Sequence, residues 1–220
     1  MRELDIGLLY MALFVMIAIL VVSVALWHER RRRQAFMALA KRFGFKYHRK
    51  SRGIPKQFHF LDKLCQGHSR YAFNILEGYY KKRQILAFDY HYATGSGKNR
   101  TDHFFSFFML RLDRPFPELI VAPENLFSKM SQWLGFSDIN FESVEFSKQF
   151  NVKSQDRKFA YDICHPRMME HLLQRPATAF EVERDWLAIG TARKLDPDKI
   201  PDQLDELVAI RALFPEYLFV

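Results

Sequence analysis

The sequence is poor in the residues that mark several protein classes. Two cysteines in 220 residues exclude a disulfide-rich secreted scaffold. Nine glycines and nine prolines exclude collagen-like and linker-like chains. A catalytic signature is missing as well. The sequence therefore predicts the location of the protein better than its function.

Apolar residues make up 49% of the chain and charged residues 26%, with a net charge of +8. The apolar fraction is too high for a disordered chain, and the charged fraction is too high for a polytopic membrane protein. Neither kind of residue is evenly distributed, however, and the distribution is more informative than the averages.

The longest uncharged run covers the 22 residues Ile6–Trp27. A helix of that length spans about 33 Å, which is enough to cross a hydrocarbon core of roughly 30 Å. The run is apolar on all sides, and Tyr10 and Trp27 stand towards its ends, where aromatic rings favour the membrane interface. The sequence therefore predicts a transmembrane helix.

A cleaved secretory signal is the alternative interpretation of this run. Its apolar core is longer than that of a typical signal, and Arg2 is outnumbered by Glu3 and Asp5 where a basic region is expected. Four arginines at 30–33 follow the run instead. By the positive-inside rule they predict an N-terminus outside and the rest of the chain in the cytoplasm.

The net charge changes along the chain: it is +2 over residues 1–33, +11 over 34–100 and −5 over 101–220. The basic part predicts contact with anionic lipid headgroups, since each juxtamembrane Lys or Arg contributes about 1 kcal/mol there. A solvated surface is the alternative, and nucleic acid is less favoured because no recognition module is present. The residues predicted to contact headgroups are Arg30, Arg31, Arg32, Arg33, Arg42, Lys46, Arg49, Lys50 and Arg52.

Periodicity predicts an α+β fold after the membrane helix, with a mainly antiparallel sheet and flanking helices. The apolar helix should continue through 34–43 and end at Gly44. Strands are predicted at 71–76, 84–92, 103–112, 118–121, 158–163, 179–183 and 186–189. Further helices are predicted from Pro55 and over 123–134, 166–173 and 201–213. The predicted parts are the anchor 1–33, a basic part 34–137 and an acidic part 138–220, the last two packed together.

Three polar residues of one predicted hairpin are the candidates for catalysis. Asp89 lies two residues before His91 on the same strand face, and the predicted hairpin allows His103 on the next strand to face His91. A convergent cluster would suggest a membrane-tethered, hydrolase-like enzyme, whereas a polar cross-strand pair would be structural. The sequence favours the structural interpretation and predicts no cofactor.

The segment Gly95–Lys98 is similar to part of a phosphate-binding loop. The full motif needs an earlier glycine where Tyr92 stands, and a Ser or Thr where Asn99 stands. Since strands are predicted on both sides, we expect a glycine-rich hairpin loop.

Two further groups of histidines and cysteines give little indication of a functional site. His59, Cys65 and His68 lack a fourth ligand at a zinc spacing, so no metal site is predicted. Cys164 and His165 are neighbours in a predicted strand, so they should point to opposite faces. Both cysteines are expected to be free thiols in a reducing compartment.

Three segments resemble a group of uncharacterised bacterial membrane-anchored proteins that carry a domain of unknown function. They are Phe88–Arg100, the acidic and aromatic stretch Phe141–Phe150, and His165–Glu170. The resemblance implies a bacterial inner-membrane protein and adds no catalytic residue. Together these observations predict a single-pass protein whose cytoplasmic domain is a binding or scaffold module for a partner protein, for anionic headgroups, or for both.

Overall fold

A single long helix, α1 (Arg2–Phe43), opens the chain. The computed structural model describes residues 2–58, 61, 64, 66–124 and 139–220, with side chains from residue 10 onward. An 18-residue window of α1 has a mean hydropathy of 2.6, and none of it is buried against the rest of the protein. By length and composition α1 is therefore a candidate membrane-spanning helix.

The end of α1 lies where the sequence placed it. Gly44 follows Phe43 with a φ of +71°, a conformation that favours glycine. The amide of Phe45 then donates to the carbonyl of Ala40 at 2.8 Å, which closes the last turn. The helix thus runs unbroken from the apolar run into the folded domain.

The other elements alternate irregularly between strands and short helices. In chain order they are β1 (Lys46–Ser51), α2 (Ile54–Gln57), β2 (His68–Tyr80), β3 (Arg83–Thr94), β4 (Thr101–Pro123), α3 (Val144–Gln149), β5 (Phe150–Ser154), α4 (Arg157–Ile163), α5 (Pro166–Leu173), β6 (Phe180–Thr191) and α6 (Ile200–Ala212).

Within the described residues, six strands form one antiparallel sheet in the order β1-β2-β3-β4-β5, with β6 also paired to β4. The length of β4 explains this branching, because its first half pairs with β3 and its last residues pair with β5. The chain is therefore an α+β protein with an N-terminal apolar helix and a mainly antiparallel sheet, as predicted. The division at residue 137 stays a prediction, and the sheet takes strands from both sides of it.

Three predicted elements differ from the structure. The strands predicted at 103–112 and 118–121 are one strand, β4, and those at 179–183 and 186–189 are one strand, β6. A strand was predicted at 158–163, but these residues lie in α4, whose start is capped by the carboxylate of Asp156 accepting from the amide of Phe159 at 3.0 Å. Apart from its first two residues, the helix predicted at 123–134 falls outside the described residues.

The middle of the sheet is covered on both faces, as the apolar run in β4 predicted. Phe108 and Leu110 point to one face, which α1 and α6 cover, while Phe107 and Met109 point to the other. The second face is covered by the segment after β1, through Phe58, Leu61 and Leu64. Both faces are therefore core, and functional groups are expected at the ends of the strands.

Candidate functional site

Contacts between α1 and the sheet show which end of the sheet lies nearest the apolar run. The ring of Phe43, at the end of α1, contacts Tyr80 with 5.7 Å between centroids. Eleven positions earlier, Arg32 contacts Asp89. Because β3 starts beside Tyr80 and reaches Asp89 later, β3 runs back towards the apolar run. We call the end of the sheet at the β3–β4 hairpin the proximal end and the end at the β2–β3 turn the distal end.

A buried carboxylate binds α1 to the sheet. Asp89 is completely buried, and the Arg32 guanidinium donates to its Oδ2 at 2.8 Å. The same guanidinium nitrogen donates to the carbonyl of Leu195 at 2.7 Å. The Asp89 carboxylate also accepts from the Asn74 amide at 2.8 Å and from the backbone N–H of Leu195 at 2.6 Å. These four residues, which we call the α1 anchor, join the helix, two strands and the segment before α6.

A local irregularity in β2 directs the Asn74 side chain towards this carboxylate. The β2–β3 register shifts between Phe73 and Leu76, and Asn74 adopts a φ of +49° there, which asparagine tolerates better than most residues. The Tyr47 hydroxyl donates to the Asn74 side-chain oxygen at 3.1 Å and so orients the amide. Burial raises the pKa of Asp89, while the bonds from Asn74, Arg32 and the Leu195 amide act in the opposite direction.

Four rings form a closed cluster on the proximal side of Asp89, on the same sheet face. Phe73 pairs directly with Asp89, and Tyr71 pairs with His91. Successive centroids are 5.7 Å apart for Tyr71 and Phe73, 6.3 Å for Phe73 and Phe104, 5.1 Å for Phe104 and His91, and 4.5 Å for His91 and Tyr71. We call these four rings the aromatic shelf. His91 is buried, whereas the other three rings are partly exposed.

Two exposed lysines lie over the aromatic shelf. The Lys50 ammonium is 3.7 Å from the Tyr71 centroid. The Lys194 ammonium is 4.2 Å from the Phe104 centroid and 5.9 Å from that of Phe73. At these distances an ammonium is attracted to the ring face. The shelf therefore combines apolar surface with two held positive charges.

The three catalytic candidates do not form one cluster. In the β3–β4 register, His91 pairs with Phe104 and His103 pairs with Tyr92. Since neighbouring residues of a strand point to opposite faces, His103 lies on the face away from Asp89 and His91. It contacts the Thr94 hydroxyl at 2.9 Å and stacks on Tyr92. The expectation that His91 and His103 face each other is therefore corrected by the register.

Both ring nitrogens of His91 are already engaged. Nδ1 donates to the Ser69 carbonyl at 3.1 Å, and Nε2 contacts the Asp102 carboxylate at 2.8 Å. A hydrogen bond from Arg100 and a weaker contribution from that of His91 hold the pKa of Asp102 below its usual range. A general base needs a free lone pair directed at substrate, and this geometry offers none at His91.

The glycine-rich segment is a hairpin loop between β3 and β4. Gly95 has a φ of +68°, and a Cβ there would lie 2.4 Å from the carbonyl oxygen of Asn99. A short 3₁₀ turn, Gly97–Asn99, follows. The two strands on either side are those of a hairpin, whereas a phosphate-binding loop opens a helix.

The predicted headgroup contacts are spread over both ends of the sheet. Arg30, Arg31 and Arg33 are exposed on α1, whereas Arg32 is partly buried and paired with Asp89. On β1, the register places Lys50 near the proximal end and Lys46, which pairs with Glu77, towards the distal end. The remaining three, Arg42, Arg49 and Arg52, are exposed. Headgroup contact by these nine residues stays a prediction.

The other candidate ligands and thiols are dispersed. His59 and Cys65 lie outside the described residues, while His68 contacts the Gly95 carbonyl at 2.7 Å. Cys164 is a buried free thiol, and burial raises its pKa. It ends α4, not a strand, and the neighbouring His165 lies 2.8 Å from the Leu213 carbonyl through Nε2.

Sequence reasoning did not find an acidic cluster on β4 and β6. Oxygens of Glu118, Glu181 and Glu183 lie within 4.8 Å of one another. Their alternate positions on two paired strands explain this approach, but the pairing itself is visible only in the structure. An acidic cluster by itself does not identify a metal site.

Comparison with known proteins gives one structural likeness. No protein-family model matches the chain, and no curated protein matches it in sequence. The crystal structure of the mycobacterial trehalose monomycolate transport factor A, TtfA, is similar in fold, with a TM-score of 0.58 and 16% sequence identity. The likeness covers 84% of this chain and 90% of the TtfA chain. At this identity it shows a shared fold and supports the α+β assignment.

Proposed function

We propose that the protein is a single-pass, membrane-anchored binding module whose proximal sheet end contacts anionic lipid headgroups. The observation that carries this proposal is the Arg32–Asp89 contact, because it sets the direction of β3 relative to the apolar run of α1. The hairpin that follows β3 then extends from the domain towards the bilayer.

The lengths of the two elements support this contact. From Arg32 back to Trp27, α1 covers only about 7.5 Å. From Asp89 to the end of β3 at Thr94 the strand covers about 17 Å, and the hairpin loop lies beyond Thr94. Even with the strand strongly inclined to the helix, the hairpin is long enough to reach the level of Trp27, where the apolar run ends.

The hairpin has the composition of a headgroup contact. Its loop is polar and includes Lys98 and Arg100, with no apolar side chain from Gly95 to Thr101. Such a loop suits the hydrated headgroup layer and would be costly in hydrocarbon. Lysine and arginine near an anionic leaflet each add about 1 kcal/mol of attraction.

The rest of the proposal concerns location and relatives. The arginines at 30–33 support an N-terminus outside and a cytoplasmic sheet domain, in the inner membrane of a bacterium. Membership of the uncharacterised bacterial membrane-anchored group is part of the same proposal. The TtfA likeness supports a role at a membrane, since TtfA is named as a transport factor for trehalose monomycolate. A protein partner stays a prediction.

The proposal is tested by measuring the membrane depth of the hairpin in the full chain. A spin label is placed at Ser96→Cys in a Cys65→Ser background, and Cys164 is retained because it is only 1% exposed. In nanodiscs of phosphatidylcholine and phosphatidylglycerol, power saturation compares the label's access to oxygen and to a water-soluble nickel chelate. We expect the label to lie in the headgroup layer.

A matched label at Tyr79→Cys is the control, because Tyr79 is 70% exposed and lies beside the distal turn. This label should be as accessible to the nickel chelate as a label in bulk water. If the labels at 96 and 79 are equally accessible, the proximal end does not contact the membrane and the proposal is wrong.

A further inference from the structure

We propose that the aromatic shelf, with Lys50 and Lys194, is a binding site for the headgroup of one anionic phospholipid. This inference rests on the proposed function, because it requires the proximal end to face the bilayer. It goes further in naming a defined site with a defined ligand, whereas the hairpin loop needs only a charged surface.

The aromatic shelf consists of four packed rings with two lysine ammonium groups over them. Each of its four rings neighbours two others at centroid distances between 4.5 and 6.3 Å, so the rings form a continuous apolar surface. His91 is the buried ring of the four, and both its ring nitrogens are already bonded within the protein, so it offers no free polar group to a ligand. The partly exposed faces of Tyr71, Phe73 and Phe104 are left as a contact surface.

The two lysines suit a phosphate group. Each ammonium lies over a ring on one side, and an ammonium has three N–H donors in all. Donors that point away from the ring remain to bind phosphate oxygens. Lys194 immediately precedes Leu195, whose carbonyl accepts from Arg32, so this lysine lies next to α1. The Arg32 guanidinium itself is directed at Asp89 and is not assigned to the lipid.

The position and mixed character of the shelf identify the ligand as a lipid. Phe73 pairs with Asp89, which binds α1 only five positions beyond Trp27, so the shelf lies beside the membrane end of the helix. A phospholipid presents a phosphate and, next to it, an apolar glycerol ester region, which matches two ammonium groups beside partly exposed rings. A free phosphate ion would contact the lysines alone and gain nothing from the rings.

Native mass spectrometry of the detergent-solubilised full chain tests this site. The protein is titrated with phosphatidylglycerol and, separately, with phosphatidylcholine. For the wild type we expect one phosphatidylglycerol bound in preference to phosphatidylcholine. The double variant Lys50→Gln/Lys194→Gln should weaken phosphatidylglycerol binding at least about tenfold.

The matched control is Lys148→Gln/Lys158→Gln, which removes the same charge from exposed positions on α3 and α4. It should bind phosphatidylglycerol as the wild type does, and circular dichroism checks that both double variants stay folded. Equal affinity in the two double variants would overturn the site. Displacement of phosphatidylglycerol by millimolar inorganic phosphate would overturn the lipid assignment.

The outcomes also separate this inference from the proposed function. If the Ser96 label lies in the headgroup layer while the Lys50→Gln/Lys194→Gln variant binds phosphatidylglycerol normally, only the defined site is wrong. If the Ser96 label lies in bulk water, the orientation is wrong and both proposals fall.

Discussion

The two ends of the sheet hold their charged groups in different ways. At the distal end, cations are paired with carboxylates on the surface: Lys81 with Asp205 at 2.7 Å, and Arg83 and Arg211 with Asp113 at 2.6 and 2.9 Å. At the proximal end, Lys50 and Lys194 lie over aromatic rings, and the carboxylate of Asp89 is buried with Arg32. The proximal end also has a surface ion pair, Arg100 with Asp102 at 2.8 Å. Several cations of the distal end are therefore paired with carboxylates, whereas two cations of the proximal end lie over aromatic rings.

The largest expected difference between the ends is in stability. Asp89→Ala leaves the Arg32 guanidinium and two further donors without their buried acceptor, so we expect a loss of about 3–5 kcal/mol in the free energy of unfolding. Asp113→Ala removes a carboxylate that is 55% exposed, and the loss should be about 1 kcal/mol or less. Urea denaturation of the full chain in detergent, followed by circular dichroism, measures both. Equal losses would mean that the α1 anchor is no stronger than a surface ion pair.

Substitutions of Asn74 test how much of the stability difference between the two ends depends on one hydrogen bond. Asn74→Gly keeps the positive φ but removes the donor to Asp89, which should cost about 1.5–3 kcal/mol because the acceptor is charged. Asn74→Ala removes the same donor and adds a left-handed backbone penalty of about 1 kcal/mol. We therefore expect stability to fall from wild type to Gly to Ala.

Arg184 provides the control for Asn74, since its φ is +54° at an irregularity of β6 nearer the distal end. Arg184→Gly should change the free energy of unfolding less than Asn74→Gly does. If Asn74→Gly is as stable as the wild type, the amide contributes nothing to the α1 anchor.

The pH dependence of stability should have opposite signs at the two ends. Burial raises the pKa of Asp89, so the folded protein holds this proton more tightly than the unfolded chain, and the contribution of Asp89 falls as the pH rises from about 4 to the raised pKa. Bonds from Arg83 and Arg211 lower the pKa of Asp113. Its contribution is complete above about pH 4 and is lost as the pH falls through the lowered pKa.

Melting temperatures of Asp89→Asn and Asp113→Asn, each compared with the wild type at pH values below and above about 4, test these signs. The difference between wild type and Asp89→Asn should shrink as the pH rises above about 4, whereas the difference for Asp113→Asn should grow as the pH rises towards about 4 and stay constant above it. The same slope in both variants would show that the two carboxylates have equivalent environments.

The sequence predicted the elements of the proximal end better than their contacts. The uncharged run, the end of α1 at Gly44 and the hairpin flanked by β3 and β4 follow from local pattern, because each depends on neighbouring residues. The Arg32–Asp89 pair joins residues 57 positions apart and depends on how a helix packs on a sheet, which no local pattern contains. The faces of His91 and His103 depend on a register that a one-residue shift reverses.

The strand predicted at 158–163 shows a related limit. Aromatic and β-branched residues there favour a strand, but the capping carboxylate of Asp156 and the spacing of Phe159 and Ile163 produce a helix with one buried face. Helix and strand patterns are ambiguous over so few residues, and tertiary burial decides between them. The aromatic shelf was missed for a different reason, since its rings come from three strands.

The smallest expected effect is a difference in stability between substitutions in the turns at the two ends of the sheet. The distal turn has two lysines at positive φ, 47° for Lys81 and 66° for Lys82, which is the geometry of a type I′ turn that favours glycine. Lys82→Gly should therefore raise the free energy of unfolding by about 0.5 kcal/mol, whereas Gly97→Ala in the proximal loop, at a φ of +55°, should lower it by about 1 kcal/mol. Phosphatidylglycerol binding by Lys82→Gly should equal that of the wild type, although a cation is lost, because the proposed orientation directs this turn away from the bilayer. A weaker affinity in that variant would mean that the distal end also contacts lipid, and the contrast between the ends would no longer hold.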